Sequence, residues 1–177
     1  MKQGIFEISS NKKLTENVYE MILTGDTSDI TACGQFINIK LDGLYLRRPI
    51  SVCDKSDDTV TIVYKVVGVG TKQMSKMTKG EKLDVLTGLG NGYDLTLSGD
   101  KPLLLGGGVG VPPLYMLAKK LKEQGKAVEV VLGFNTESEI FYEQQFKDLG
   151  CNVTVTTADG SYGVKGFVTD AYPADYS

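Results

Sequence analysis

The chain contains no histidine and no tryptophan, and only two of its 19 basic residues are arginines. Histidine is the commonest general base and the commonest metal ligand. Its absence excludes Ser-His-Asp triads, Cys-His pairs and the zinc sites of hydrolases. We therefore assign no catalytic side chain and no metal site. If the chain is an enzyme, a cofactor is expected to carry the chemistry.

Cysteine is scarce as well. Cys33, Cys53 and Cys151 are far apart in the sequence and form no Cys-x-x-Cys pair. An odd number of widely spaced cysteines is a poor disulfide framework. The sequence therefore predicts three small buried or half-buried thiols.

Clustered positive charge and long apolar runs are also missing. The 177 residues carry a net charge of −3 with both signs interspersed, which argues against a nucleic-acid surface and a polybasic membrane surface. No apolar run approaches the roughly 20 residues of a spanning helix, and the N-terminus lacks the apolar core of a secretory signal. We expect a cytoplasmic protein without nucleic-acid or membrane partners.

The residue pattern divides the chain into two halves. Residues 1–98 contain short segments rich in Val, Ile and Tyr, separated by Gly, Asp, Asn and Ser. This pattern predicts an antiparallel sandwich or small barrel. The predicted strands are residues 4–9, 17–24, 35–41, 50–54, 59–67 and 82–88, with a short helix over 70–77.

Residues 99–177 follow a different pattern, in which short apolar strands alternate with amphipathic helices. Strand, helix, strand, helix, strand is typical of a parallel sheet with right-handed crossovers. The predicted strands are 102–107, 127–134 and 151–160, and the predicted helices are 112–125 and 137–150. The fold class is therefore a β domain followed by an α/β domain.

The segment "GGGVGVPP" over residues 106–113 joins the first parallel strand to its helix. It fits G-x-G-x-x-G in no register, yet glycines and a proline in the first helical turn suit a phosphate-binding loop. A tight turn without a ligand remains the alternative. Glu137 and Glu139 follow the second strand, and no arginine follows Arg48. If a nicotinamide nucleotide binds, this local charge favours NAD(H) over its 2′-phosphorylated relative.

Both arginines lie side by side in "YLRRPIS", residues 45–51. A guanidinium grips a pyrophosphate with paired, charge-assisted hydrogen bonds. "VYKVVGVGT", residues 63–71, follows and ends in glycines before the short helix, where phosphate can meet backbone N–H groups. The alternative is an exposed arginine pair on a strand edge followed by a β-turn.

Five segments, taken in order, resemble the ferredoxin reductase-like flavoproteins. They are "RRPIS", "VYKVVGVGT", "GLGNGY", "LLLGGGVGVPPLYMLAKKL" and "ADGSYGVKGFVTD". Within that family the chain is most similar to the electron-transfer subunits of type B dihydroorotate dehydrogenases. The resemblance implies a six-stranded antiparallel FAD-binding barrel over 1–98. It also implies an NAD-binding α/β domain over 99–177.

The resemblance also implies cofactor-binding residues. Arg48 matches an arginine that contacts the FAD phosphates, and Ser51 matches a hydrogen-bond partner near the flavin ring; Arg47 matches no role. The other FAD positions are Pro49 and Ile50 along the isoalloxazine, Val63, Tyr64 and Lys65 beside the ribityl and phosphate part, and Gly70 and Thr71 at the start of the phosphate-binding helix. The nicotinamide-nucleotide positions are Gly107, Gly108 and Gly110, with Asp159 and Gly160 near the same crevice.

The function implied by the resemblance is electron transfer from NADH, as substrate, through FAD to an FMN-containing dihydroorotate dehydrogenase catalytic subunit in pyrimidine biosynthesis. Family members continue beyond the length of this chain and carry a [2Fe–2S] cluster, which needs four grouped cysteines. We therefore expect no cluster in this chain and a nucleotide domain incomplete at its C-terminus. The alternatives are another NAD(P)H oxidoreductase of the family, with ferredoxin or sulfur as acceptor, and a nucleotide-binding module without turnover.

Overall fold

The computed structural model describes residues 1–172 and 176. The chain divides into two compact units, residues 1–92 and the described residues from Tyr93 onward, whereas the sequence suggests a division between 98 and 99. Residues 93–98 group with the second unit, and Lys126 ties the last of them, Ser98, to it. Its Nζ donates to the carbonyl oxygen and the hydroxyl of Ser98, at 2.7 and 2.9 Å.

The first unit is a closed six-stranded barrel. Its strands pair antiparallel around the circle in the order β1–β2–β5–β4–β3–β6, and β6 returns to β1. The elements are β1 (Lys2–Lys13), β2 (Val18–Thr24), β3 (Phe36–Lys40), β4 (Arg48–Lys55), β5 (Thr59–Lys65), α1 (Val69–Met74) and β6 (Lys82–Leu89). The barrel alternative of the sequence prediction is thus confirmed over the sandwich.

Alternation along each strand builds the barrel core. Met21 and Leu23 of β2 lie opposite Ile62 and Val60 of β5, and all four side chains are fully buried. Successive residues of a strand point to opposite faces, so every second residue enters the core. Helix α1 contributes Met74, which is also fully buried.

The second unit is a parallel four-stranded sheet with the order β10–β9–β8–β7. Short 3₁₀ turns occupy Leu95–Leu97, Gly108–Gly110, Glu137–Glu139 and Val168–Asp170. The remaining elements are β7 (Leu103–Gly107), α2 (Pro112–Glu123), β8 (Glu129–Phe134), α3 (Glu143–Asp148), β9 (Asn152–Thr157) and β10 (Val164–Lys165). The three predicted strands are confirmed, and the two-residue strand β10 adds a fourth.

The predicted helix over 137–150 is wrong in its first half. A 3₁₀ turn ends at Glu139, and Tyr142 adopts a left-handed backbone with φ of 68° before α3 begins. Phe141 packs against Phe134 and Tyr142 against Tyr115, both with ring centroids 5.3 Å apart. The break in the helix thus accompanies the burial of two adjacent aromatic rings, Phe141 and Tyr142.

Two further expectations concern cysteines and membranes. All three cysteines are buried, as predicted, and burial raises the pKa of the Cys151 thiol. In the part of the chain that the structure describes, no helix is long and apolar enough to cross a membrane.

Candidate cofactor-binding sites

Arg48 and Gly70, distant in sequence, meet in the first unit. Arg48 is the first residue of β4, and Gly70 is the second residue of α1. A Cβ built on Gly70 would lie 2.1 Å from Nε and 2.8 Å from Cζ of Arg48. Only glycine therefore lets the guanidinium lie against the start of α1. The structure brings together the two positions that the resemblance assigns to the FAD phosphates.

The turn before α1 is ordered by Thr71, another predicted position. Its hydroxyl oxygen accepts the backbone N–H groups of Val67 and Gly68, at 3.0 and 3.3 Å. Arg48 is held from its other side, because its Nη1 donates to the carbonyl oxygens of Leu46 and Arg47. The result is a half-buried positive charge fixed beside a glycine-containing turn, an arrangement that suits a phosphate.

Arg47 has a different environment from its neighbour. Its Nη2 pairs with the Asp84 carboxylate at 3.0 Å, and its Nη1 donates to the carbonyl oxygens of Asn38 and Asp84 at 3.2 and 3.1 Å. These bonds connect the segment before β4 to β3 and β6. Gln3 of β1 also donates to Asp84, at 3.0 and 2.9 Å. Arg47, for which the sequence indicated no role, therefore cross-links the barrel.

Pro49, Ile50 and Ser51 follow along β4. Ile50 lies opposite the fully buried Ile37, while Ser51 lies opposite Phe36 and Pro49 opposite Asn38. Cross-strand partners share a face, so Pro49 and Ser51 lie on the outward face. The buried Oδ1 of Asn38 accepts no hydrogen bond from any residue that the structure describes. An acceptor is thus available next to Pro49.

Val63, Tyr64 and Lys65 end β5, and the first two are buried. Tyr64 is only 1% exposed, stacks on Tyr19 with ring centroids 5.9 Å apart, and donates its hydroxyl to Oδ1 of Asn11 at 3.0 Å. Burial raises the pKa of Tyr64 above its usual value. Its ring is therefore engaged inside the barrel, so a cofactor at this strand would meet its backbone.

In the glycine loop of the second unit, one glycine has no room for a side chain and three glycines do. A Cβ on Gly106 would lie 2.7 Å from Cδ1 of Leu114 and 3.1 Å from the Gly110 carbonyl oxygen. By contrast, no described atom lies within 4 Å of a Cβ built on Gly108 or Gly110, and one on Gly107 would only touch the Gly133 carbonyl, at 3.8 Å. Gly106 permits the tight turn, and the other three leave open space where a ligand can reach the backbone.

Asp159 and Gly160 follow β9 at the same carboxyl edge of the parallel sheet. The Asp159 carboxylate accepts the backbone N–H and the hydroxyl of Ser161, at 2.9 and 2.7 Å, and these bonds lower its pKa. Gly160 has φ of 78° and carries the aliphatic part of Lys165 against it. The structure therefore puts this turn on the edge that also carries the glycine loop.

The end of β8 on this edge is acidic. Glu139 accepts the side-chain amide of Asn135 at 2.8 Å, and the backbone N–H of Glu137 donates to Ser161 at 2.8 Å. Glu137, Glu139 and Asp159 thus place three carboxylates in the turns that follow β8 and β9. This charge favours a nucleotide without a 2′-phosphate.

One curated relative decides the family. The dihydroorotate dehydrogenase B (NAD(+)) electron transfer subunit of Bacillus pumilus (strain SAFR-032) is 44% identical over 178 residues, which cover 96% of this chain and 69% of the relative. The chain belongs to this family. No protein-family model matches it.

Solved structures of other proteins share the fold of this member of the electron transfer subunit family. A structure of an NADH-dependent reduced ferredoxin-NADP oxidoreductase has a TM-score of 0.84 and 35% identity, covering 94% of this chain and 61% of that chain. The ferredoxin reductase in carbazole 1,9a-dioxygenase has a TM-score of 0.83 at 20% identity, covering 96% of this chain and 55% of that chain. The ferredoxin reductase-like fold expected from the sequence is thereby confirmed.

Sequence reasoning missed Asn11 and Gly106. Asn11 is a polar residue within a β-rich stretch, and its hydrogen-bond partners lie 53 to 66 residues away, so no local pattern identifies it. Gly106 was recognisable only as one of three consecutive glycines. Its distinct role depends on Leu114, which packs back onto it from α2.

Proposed function

We propose that this chain binds FAD in its barrel unit and NAD(H) at the glycine loop of its second unit. It takes electrons from NADH and passes them to a catalytic partner that oxidises dihydroorotate to orotate. A bound flavin supplies the hydride acceptor, so that no side-chain acid or base is required. The absence of histidine is therefore compatible with turnover.

The contact between Arg48 and Gly70 is the observation that carries the FAD proposal. Arg48 supplies a fixed guanidinium, and the missing Cβ of Gly70 lets that guanidinium lie directly against the start of α1. Charge-assisted hydrogen bonds from a guanidinium are strong and directional toward phosphate oxygens. The role of Arg48 is thus to hold the FAD pyrophosphate.

The open glycines carry the NAD(H) proposal. Gly107, Gly108 and Gly110 expose backbone at the carboxyl end of β7, immediately before the twelve-residue helix α2. Nucleotide phosphates commonly bind at such strand-to-helix loops. Asp159 and Gly160 border the same edge, and Glu137 and Glu139 disfavour a 2′-phosphate.

The proposed partner follows from the family. Its members are named electron transfer subunits of dihydroorotate dehydrogenase B, so an electron transfer subunit must dock on a separate catalytic subunit. We propose that this partner contains FMN and that the two form a hetero-oligomer serving pyrimidine biosynthesis.

An absorption titration tests the proposal. The purified chain loaded with FAD should show flavin bands at roughly 375 and 450 nm that bleach when NADH is added without oxygen. Arg48→Ala should raise the Kd for FAD about ten- to a hundredfold, because a hydrogen bond to a charged group contributes roughly 1.5–3 kcal/mol.

Arg47→Ala is the matched control, because it removes the adjacent guanidinium. It should lower the free energy of unfolding by about 1–3 kcal/mol through loss of its charged hydrogen bonds, and leave the FAD Kd of the folded protein within about twofold of wild type. A chain that binds no added FAD contradicts the proposed function. Unchanged FAD affinity in Arg48→Ala would refute the role of Arg48.

Ferredoxin is the second candidate acceptor. The 35% identity to the NADH-dependent reduced ferredoxin-NADP oxidoreductase favours it, although the relative in the dihydroorotate dehydrogenase family is 44% identical. Electron transfer from NADH, measured in parallel to a dihydroorotate dehydrogenase catalytic subunit and to ferredoxin, separates the two candidates.

A further inference from the structure

Asn11 makes three hydrogen bonds that join distant parts of the barrel unit. From β1, its Nδ2 donates to the carbonyl oxygens of Met74 and Met77, at 2.9 and 2.8 Å. Its Oδ1 accepts the hydroxyl of Tyr64 at 3.0 Å. One carboxamide therefore ties together β1, β5 and the C-terminal end of α1.

Helix α1 needs such an anchor. It contains only six residues, and a helix of this length is not stable by itself. The last carbonyl groups of a helix have no partner within it, and that of Met74, the final residue, accepts both the Asn11 amide at 2.9 Å and the backbone N–H of Met77 at 3.0 Å. Buried Met74 and the Asn11 amide together determine where α1 lies against the barrel.

The position of α1 decides the position of Gly70. Gly70 and Met74 are four residues apart, about one turn, so a displacement at Met74 moves Gly70 as well. The room left by Gly70 for Arg48 is small, since a single Cβ there would lie 2.1 Å from Nε. A shift of α1 by a fraction of an ångström therefore alters the surroundings of the guanidinium.

We infer that Asn11 is a positioning residue for the FAD pyrophosphate, acting through α1 on Gly70 and Arg48; the inference rests on the proposed function. Asn11 touches no phosphate in this role. It fixes the helix against which Arg48 lies. Tyr64 orients its carboxamide, because the Tyr64 hydroxyl donates to Oδ1 and leaves Nδ2 directed at the helix.

The test compares Asn11→Asp with Thr27→Val in the full chain. Asn11→Asp keeps an acceptor for Tyr64 but replaces the amide donor by an oxygen facing two carbonyl oxygens. Thr27 is a matched control, because its buried hydroxyl also donates to two backbone carbonyls, those of Ser56 and Asp57, both at 2.9 Å. Both variants should lose stability in thermal unfolding, so stability alone does not distinguish positioning from packing.

The distinguishing readouts are the FAD Kd and the ³¹P NMR signals of bound FAD. Asn11→Asp should raise the Kd by about tenfold, as expected from a weakened charged hydrogen bond, and shift the pyrophosphate signals. Thr27→Val should leave both close to wild type. Unchanged Kd and ³¹P signals in Asn11→Asp, or an equal rise in Thr27→Val, would overturn the inference.

A measurement on the wild-type chain covers the case in which Asn11→Asp does not fold. Titration with FAD should shift the side-chain amide NMR signals of Asn11 and leave those of Asn152, which bonds to Glu129 in the second unit. No shift at Asn11 overturns the inference. Wild-type protein that fails to bind FAD refutes the proposed function instead, so the two failures are distinguishable.

Discussion

At the scale of single residues, two adjacent arginines have separate tasks. The Arg47 guanidinium is hydrogen-bonded to the Asp84 carboxylate and to two backbone carbonyls, whereas Arg48 lies against Gly70. Neighbouring residues of an extended chain point in opposite directions, which sends one guanidinium toward β6 and the other toward α1. The sequence predicts that the pair matters, but Asp84 lies 37 residues away from Arg47 and could not be identified as its partner.

Gly70→Ala should weaken FAD binding without large loss of stability. The added methyl group would displace the Arg48 side chain, which is flexible and can move, so the barrel tolerates the change while the guanidinium leaves its position. We expect the FAD Kd to rise by about tenfold in fluorescence titrations, with little change in urea unfolding.

Gly4→Ala is the control for that substitution. A Cβ on Gly4 of β1 meets only the Phe6 ring at 3.5 Å, an ordinary contact. FAD affinity should therefore remain at the wild-type level in this variant. If Gly70→Ala binds FAD as tightly as Gly4→Ala does, Arg48 does not need its observed position.

At the scale of elements, the loop between β7 and α2 combines packing and ligand access. Gly106 is the point where α2 folds back onto the strand, and Gly108 and Gly110 lie in open space. The run of glycines predicts a close turn and a phosphate loop together. Only the position of Leu114 separates the glycine needed for folding from those available to a ligand.

Gly106→Ala should therefore affect mainly stability, and Gly110→Ala mainly NADH binding. The first crowds Leu114 and the backbone at Gly110 and Val111, and overpacking of this kind lowers the free energy of unfolding by about 1–3 kcal/mol. The second should change stability by less than about 0.5 kcal/mol but raise the KM for NADH. Urea unfolding and steady-state kinetics measure the two effects, and a reversed pattern would contradict the assignment.

Regular elements were well predicted from the sequence, and irregular ones were not. All six barrel strands follow from Val, Ile and Tyr segments between turn residues, because alternation is a local property. The segment around Tyr142 was predicted as helix because Ile140, Phe141 and Phe146 match helical spacing. In the structure, Tyr142 is left-handed and packs against Tyr115, and Phe141 packs against Phe134; both partners lie on other elements, which no local pattern contains.

At the scale of the whole molecule, the absence of histidine and the lowered pKa values of three carboxylates predict how the stability of the fold depends on pH. The chain has no histidine, so stability should be flat between about pH 5 and 8. The pKa of Asp26 is lowered mainly by a hydrogen bond from Lys2, that of Asp94 by Thr96 and that of Asp159 by Ser161. These groups stabilise the fold above their unfolded pKa of about 3.9, and this contribution is lost as the pH falls toward their folded values.

Tyr64 contributes to the alkaline limb of the same profile, together with Cys151, whose pKa burial also raises. Because burial raises the pKa of Tyr64, the unfolded chain releases this proton at about pH 10 while the folded chain retains it. Stability contributed by Tyr64 is therefore present below pH 10 and declines as the pH rises above that value. Tyr64→Phe should reduce the alkaline decline in urea unfolding measured from pH 3 to 11. A step between pH 5 and 8 in the wild type would contradict the expected profile.

The sequence by itself determined the two-part architecture, the order of strands and helices, the glycine loop and the resemblance to flavoproteins, since periodicity and turn chemistry are local and the motifs are contiguous. Tertiary structure alone decided that Arg47 braces the barrel, that Gly70 makes room for Arg48, and that Asn11 anchors α1. Each of these depends on partners far away along the chain, 37 residues for Arg47 and 53 to 66 for Asn11. Such partners become neighbours only when the strands close into a barrel, because the pairing register determines which side chains meet.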